Sequence, residues 1–147
     1  MDACWYDQEN DILYIIELKN WENNNLIEES NSEVTMEKIK EMKESISKHR
    51  VNELIKKSLD SLCMLNSILL NKPFSENIQK CIAFSFTIDT KIKLLSIINW
   101  TETDNTYISN INTQYRTKFN SYAKLFDIKT FLVLTKSKAS EVFPWVS

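Results

Sequence analysis

The chain of 147 residues contains no glycine, two prolines, one histidine and three cysteines. Without glycine, turns must use Asn, Asp, Ser or Thr, and a glycine-rich phosphate loop of the Walker or Rossmann type is excluded. One histidine (His49) and three widely spaced cysteines, with no Cys-x-x-Cys pair, leave little from which to build a zinc site. Enzymes that bind nucleotides through a Walker or Rossmann loop are therefore excluded, as these motifs are normally built. A zinc-finger protein of the usual kind is excluded by the shortage of ligands.

The chain also lacks any apolar run approaching the ~20 residues that a membrane-spanning helix needs. No basic and then apolar leader opens it, so we expect a cytoplasmic protein that neither is secreted nor enters a membrane. The net charge of −2 argues against a general nucleic-acid coat protein, but it allows an enzyme that contacts a few phosphates. The length fits a single domain over residues 1–147.

Hydrophobic spacing predicts the order of the elements in the first half of the chain. Two aromatic and β-branched runs flank the turn-prone segment 8–11 and predict a β-hairpin over residues 2–21. The polar segment 22–33 is predicted to be a loop. Apolar residues at helical spacing then predict one long helix over residues 35–70, bent or broken near residues 47–50.

In the second half, apolar residues alternate along 82–88, and an apolar run follows at 92–98, which together predict a second hairpin over 80–99. A helix over 108–127 and a short buried strand over 130–135 complete the pattern. The element order ββ-α-ββ-α-β predicts an α/β (α+β) fold with a mixed central sheet of about five strands flanked by helices. An all-helical protein is the alternative if the strand predictions are wrong.

The candidate site consists of Asp2, Glu17 and Lys19. Residues two apart on a strand share a face, so Glu17 and Lys19 can converge on one metal ion and one phosphate. Pairing in the hairpin brings Asp2 alongside Glu17, which supplies the second carboxylate that a hard cation such as Mg²⁺ prefers. The Leu18 carbonyl is a further candidate ligand. A cation such as Lys19 can stabilise charge that develops on the phosphate.

The motif Glu-x-Lys occurs twice, at Glu17-Leu18-Lys19 and at Glu41-Met42-Lys43. The second copy lies in the helical stretch, with no strand before it, and serves as a control. Only the first copy follows an apolar strand, a turn and an aspartate one hairpin length upstream. This context, and not the motif alone, marks the site.

An aspartate, a strand, a turn and a strand that ends in Ile-Glu-Leu-Lys-Asn-Trp resemble the core signature of the PD-(D/E)XK nuclease superfamily, and of nuclease-related domains in particular. The resemblance covers residues 2–21. It implies a restriction-endonuclease-like fold and a nuclease that acts on nucleic acid, most readily DNA, with Mg²⁺ or Mn²⁺. In that case Asp2, Glu17 and Leu18 hold the metal, and Asp2, Glu17 and Lys19 form the catalytic set.

Two features differ from the family pattern: only Met1 precedes Asp2, and this position is Met where the family has Pro. Either the chain is a truncated or shortened member of the family, or the family's N-terminal helix comes from a partner subunit or from the second copy in a homodimer, or the site is incomplete and dead. Asp7 is an alternative ligand in a tighter hairpin. The alternative function is a non-catalytic α/β interaction protein, such as a viral or mobile-element factor that keeps the fold.

Other residues are weaker candidates. Arg50, Lys56 and Lys57 lie in a basic stretch of the long helix that could contact nucleic-acid phosphates, although a solvated helix face is the more common role. His49 is a weaker candidate for a catalytic base. Trp21 and Trp100 follow predicted strands and could stack on bases, but packing at the edge of the core is the more common role.

Overall fold

A computed structural model describes residues 1–21, 36–73, 75–80, 82, 84–100 and 106–143. The described residues form a mixed α/β fold with a four-stranded sheet. In chain order the elements are β1 (Ala3–Asp7), β2 (Ile12–Asn20), α1 (Met36–Leu69), α2 (Ser75–Gln79), β3 (Lys91–Asn99), α3 (Thr106–Leu125), β4 (Thr130–Thr135) and α4 (Lys136–Val142).

Strands β1 and β2 form an antiparallel hairpin in which Ala3 lies opposite Ile16. Its turn is stabilised by Asp7, whose carboxylate accepts hydrogen bonds from the backbone N–H (3.2 Å) and the side-chain amide (2.8 Å) of Asn10. The same bonds hold the pKa of Asp7 below its usual value. Asp11 takes the left-handed conformation (φ 50°) in place of a glycine, because an Asp side chain tolerates it better than most residues. The turn therefore works without glycine.

The sheet order is β1-β2-β3-β4, and β2, β3 and β4 are parallel. Each parallel pair is joined by a helical crossover, α1 with α2 and then α3. Crossovers of one hand that step in one direction along a sheet place their helices on the same face. Helices α1 and α3 accordingly pack against each other and share one hydrophobic core with the sheet.

The two faces of the sheet are covered unequally. The larger core joins Leu13 and Ile15 of β2 to the buried stripe of α1 and to Ile111, Tyr115 and Phe119 of α3. On the opposite face, α4 covers a smaller cluster of buried residues: Tyr14, Ile16, Leu95, Ile97 and Ala139. Since side chains alternate along a strand, Glu17 and Lys19 fall on the α1 side and Leu18 on the other.

The predicted strand over 82–88 needs correction, because residues 84–90 form no strand. Both edges of β3 are already paired, one with β2 and one with β4, so a hairpin partner has no edge to occupy. The aromatic residues of the segment pack from the side instead: Phe84 stacks on Tyr6 with ring centroids 5.0 Å apart. The described sheet therefore has four strands where about five were predicted.

The helices differ from the predictions in two respects. Helix α1 is continuous through residues 47–50, so the break, one of the two predicted alternatives, is wrong. The short helices α2 and α4 lie in segments for which no helix was predicted. The predicted loop 22–33 lies outside the described residues. No helix in the described ranges is long and apolar enough to cross a membrane.

Candidate functional site

Glu17 is a buried carboxylate in the layer between the sheet and α1. Only 3% of the Glu17 surface is exposed to solvent. Oε1 lies 2.9 Å from the α-ammonium of Met1 and accepts a 2.7 Å hydrogen bond from the hydroxyl of Ser61 on α1. Burying a carboxylate is costly unless it is paired and hydrogen-bonded, and these two groups supply the compensation on one of its two oxygens.

The other oxygen of Glu17 is not compensated in this way. Oε2 is buried and has no hydrogen-bond partner among the residues that the structure describes. A buried acceptor that lacks a donor costs about 1–3 kcal/mol, and more when it carries charge. An orphaned oxygen on an already buried carboxylate is therefore the polar atom at this site that is most in need of a cation or a donor.

Asp2 lies on the neighbouring strand, one residue beyond the pair Ala3–Ile16. Its backbone N–H donates to the carbonyl of Ile16 (3.1 Å), and its Oδ2 accepts from the N–H of Leu18 (2.8 Å). Because a strand residue directs its N–H and C=O to the same neighbour, the Leu18 carbonyl also faces the β1 side. The structure thus places Asp2, Glu17 and Leu18 at one end of the hairpin, with one Asp2 oxygen already bonded to the backbone.

Lys19 points to the same side of the sheet as Glu17 and forms an ion pair with Glu53 of α1, with Nζ 2.5 Å from Oε1. The Lys19 side chain is 14% exposed and that of Glu53 is 38% exposed, so the pair lies at the rim of the buried layer. Lys19 is therefore held near Glu17 by a partner that solvent and substrate can reach.

A second buried polar contact lies deeper in the same layer. The hydroxyls of Ser58 and Tyr115 are 2.7 Å apart between α1 and α3. Burial raises the pKa of Tyr115 to about 12; the hydrogen bond to Ser58 acts against this shift, and the nearby charge of Glu17 adds to it. Tyr115 is therefore a neutral phenol at neutral pH and a structural neighbour of the site.

Two carboxylates and a carbonyl form a small ligand set. Over the residues that the structure describes, no group of three or more His, Cys, Asp or Glu could hold a metal ion. Asp7, the alternative ligand, is bonded within the turn at the opposite end of β1. Any cation at this end of the hairpin would rely on Asp2, Glu17, the Leu18 carbonyl and water.

The comparisons with known proteins find no match. No family model matches the chain, and no curated protein or solved structure is significantly similar to it. The geometry of the chain's own residues is therefore what supports a function.

The α1 residues that were predicted to contact nucleic acid differ in their burial and their contacts. Arg50 is half-buried: its guanidinium lies 4.8 Å from the Trp21 ring and 5.5 Å from the Tyr107 ring, and it donates to the Tyr107 hydroxyl (3.1 Å). These contacts join the end of β2 to α1 and α3 and give Arg50 a structural role. Lys56 is exposed and Lys57 half-buried, and His49 is an exposed surface residue.

The two candidate tryptophans, Trp21 and Trp100, pack against other side chains of the protein. Trp21 is 8% exposed and belongs to the larger core. Trp100 stacks on Tyr107 with ring centroids 5.2 Å apart. Both follow the carboxyl end of a parallel strand, and both contribute to packing at that edge of the sheet.

Sequence reasoning missed Met1, Glu53 and Ser61 as partners of the site. One signal was available for Ser61: together with Ser58 it lies among the buried leucines of α1, where a polar residue needs a buried partner. Nothing in the sequence marked Glu53, which lies 34 residues from Lys19 and is one of many acidic residues on a helix.

Proposed function

We propose that this protein is a metal-dependent nuclease, or is derived from one, and that it hydrolyses nucleic-acid phosphodiester bonds at the end of the β1–β2 hairpin. The observation that carries the proposal is the buried Oε2 of Glu17, which has no partner within the described ranges of the chain, on a strand end that also presents Lys19. A paired hairpin followed by parallel crossovers also supports a restriction-endonuclease-like arrangement of the sheet.

The residues at the site fit a hard divalent cation such as Mg²⁺ or Mn²⁺. Carboxylate and carbonyl oxygens are the preferred ligands, and Mg²⁺ commonly keeps several waters and uses only one or two carboxylates. Glu17, Asp2 and the Leu18 carbonyl would hold the ion. The Met1 ammonium already occupies Oε1, so the ion would bind at Oε2 and would have to displace or tolerate this neighbouring positive charge. When bound, the ion would supply positive charge to the phosphate oxygens.

The chain's own groups have distinct roles in this proposal. Ser61 fixes the orientation of the Glu17 carboxylate through its hydrogen bond to Oε1. Lys19 stabilises negative charge that develops on the phosphate. Glu53 holds Lys19 in place at the rim, and an approaching phosphate competes with Glu53 for the Lys19 ammonium.

The first test is Mn²⁺ binding by isothermal titration calorimetry. Wild type is expected to bind Mn²⁺, and Glu17→Gln is expected to lose binding while it keeps the shape of the side chain. Glu41→Gln is the matched control, since Glu41 belongs to the second Glu-x-Lys and is exposed on α1. Equal binding by wild type and Glu17→Gln would refute the metal site.

The second test measures cleavage of labelled DNA and RNA with Mg²⁺ or Mn²⁺. Lys19→Ala and Glu17→Gln should each abolish cleavage, whereas Glu41→Gln should cut like wild type. Circular dichroism of each variant separates a lost activity from a lost fold. If both site variants cut at the wild-type rate, the assignment of the site is wrong.

A non-catalytic interaction protein is the second candidate, and a specific observation favours it. One oxygen of each carboxylate already has a partner within the chain, Met1 for Glu17 and the Leu18 N–H for Asp2. In this case the ion pair between the Met1 ammonium and the Glu17 carboxylate is purely structural. Wild type would then bind no Mn²⁺ and cut no substrate, while Glu17→Gln would still lower stability.

A further inference from the structure

A basic groove runs between the first half of α1 and the side of α3. It has a volume of about 1160 Å³. Four exposed lysines line it, Lys40, Lys43 and Lys48 from α1 and Lys118 from α3. Only two acidic residues accompany them, Glu37 and Glu44. The groove thus carries a net charge of +2, whereas the whole chain carries −2.

Two hydrogen bonds link the helices that form the walls of the groove. Arg50 donates to the Tyr107 hydroxyl (3.1 Å), and Lys118 donates to the side chain of Asn52 (3.5 Å). The first contact is partly buried and the second is exposed. Residues 40–45 of α1 are exposed, so this part of the helix forms a wall that solvent reaches.

Helix α1 carries both one wall of the groove and a residue of the candidate site. Lys40 and Glu53 are separated along α1 by about 20 Å, at 1.5 Å per residue, and Glu53 is the partner of Lys19. A length of about 20 Å corresponds to roughly six base pairs of duplex. Three lysines spread over about two turns of one wall, with another on the opposite wall, suit a continuous line of phosphates better than a compact anion.

We infer that this groove binds the phosphodiester backbone of a nucleic acid, an inference that rests on the proposed function. The groove lysines Lys40, Lys43, Lys48 and Lys118 make the phosphate contacts. Arg50 does not, because its guanidinium is held by Trp21 and Tyr107. Lys56 lies on α1 outside the groove.

The test is the salt dependence of binding to a fluorescein-labelled DNA duplex, measured by anisotropy in EDTA so that no cleavage occurs. Each lysine–phosphate contact contributes about −0.9 to the slope of log K against log salt for duplex DNA. Replacing Lys43 and Lys118 by Gln should therefore make the slope shallower by about two contacts and weaken binding at low salt at least tenfold.

The control variant carries Lys38→Gln and Lys124→Gln. It makes the same change in net charge at two exposed lysines, one on α1 and one on α3, that do not line the groove. Its slope and affinity should equal those of wild type. Glu44→Gln removes a negative charge from the groove and should strengthen binding severalfold. A control pair that loses as much affinity as the groove pair would overturn the inference.

Four further outcomes are decisive. If the binding of single-stranded DNA depends on the groove lysines in the same way, this supports a site for the phosphodiester backbone and shows that the single-stranded form also binds. A polyglutamate peptide that binds more tightly than DNA at these lysines overturns the inference in favour of an acidic protein partner. Metal-dependent cleavage that ignores the groove variants overturns this inference alone, whereas groove-dependent binding without any cleavage overturns only the proposed nuclease activity.

Discussion

The α-ammonium of Met1 lies 2.9 Å from Oε1 of Glu17, and the two groups form an ion pair that is almost excluded from solvent. This contact ties the first residue of the chain to the end of β2. It also places a positive charge at the carboxylate on which the proposed metal site depends.

The ion pair predicts that acetylation of the Met1 amino group destabilises the fold. Acetylation removes the charge and leaves the buried Glu17 carboxylate with only its hydrogen bond from Ser61. Removing one partner of a buried ion pair costs about 3–5 kcal/mol. The free energy of unfolding in urea should fall by this order for the acetylated chain. In Glu17→Gln, acetylation should cost little, since no carboxylate remains. An equal cost in both backgrounds would show that the two groups do not interact.

Tyr115 predicts a loss of stability at alkaline pH. Burial raises its pKa from 10.0 to about 12 in the folded protein. Between these values the unfolded chain loses the phenolic proton and the folded chain keeps it, so the unfolded state binds fewer protons. Stability is therefore fully present below the lower pKa, and it declines by up to about 1.4 kcal/mol per pH unit as the pH rises toward the higher one.

Urea unfolding between about pH 9 and pH 11 tests this dependence. Tyr115→Phe should have a flatter stability profile than wild type, although it also loses the bond to Ser58. Ser58→Ala is the control: it removes the same hydrogen bond and keeps the titrating phenol, so its profile should remain steep. If wild type and Tyr115→Phe decline in parallel, Tyr115 does not carry the alkaline transition.

The edge strand β4 predicts a role for Asn112. Its side-chain oxygen on α3 accepts a 2.9 Å hydrogen bond from the backbone N–H of Val133. Asn112→Ala leaves this N–H without a protein partner, which costs about 1–3 kcal/mol where water does not replace the side chain. It also uncovers a strand edge that can pair with another chain.

Two measurements check the prediction for Asn112. Urea unfolding should show the lower stability, and size-exclusion chromatography should show more self-association of Asn112→Ala with rising concentration. Asn110→Ala is the control, since Asn110 is exposed on the same helix. Behaviour of Asn112→Ala that matches the control would mean that the side chain does not protect the edge.

Much of the fold follows from local patterns. Helix α3 was predicted over 108–127 and spans Thr106–Leu125, because its apolar residues recur at helical spacing. The hairpin was predicted over 2–21 from two apolar runs and a turn-prone segment, and β1 and β2 occupy that range. The segment 82–88 has equally clear alternation, yet residues 84–88 form no strand. Alternation of apolar and polar residues indicates which side chains pack in the core. A segment becomes a strand only if a neighbouring strand also has an unpaired edge.

The candidate site divides in the same way. That Glu17 and Lys19 share one face follows from the two-residue period of a strand, which the sequence alone determines. Their partners do not follow from it: Ser61 lies 44 residues from Glu17, and Glu53 lies 34 residues from Lys19. Only the packing of α1 on the sheet selects these two among many serines and glutamates. The sequence determined local periodicity and the residue types at the hairpin, whereas the tertiary structure decided burial and ion pairing, because both depend on segments that are distant in the chain.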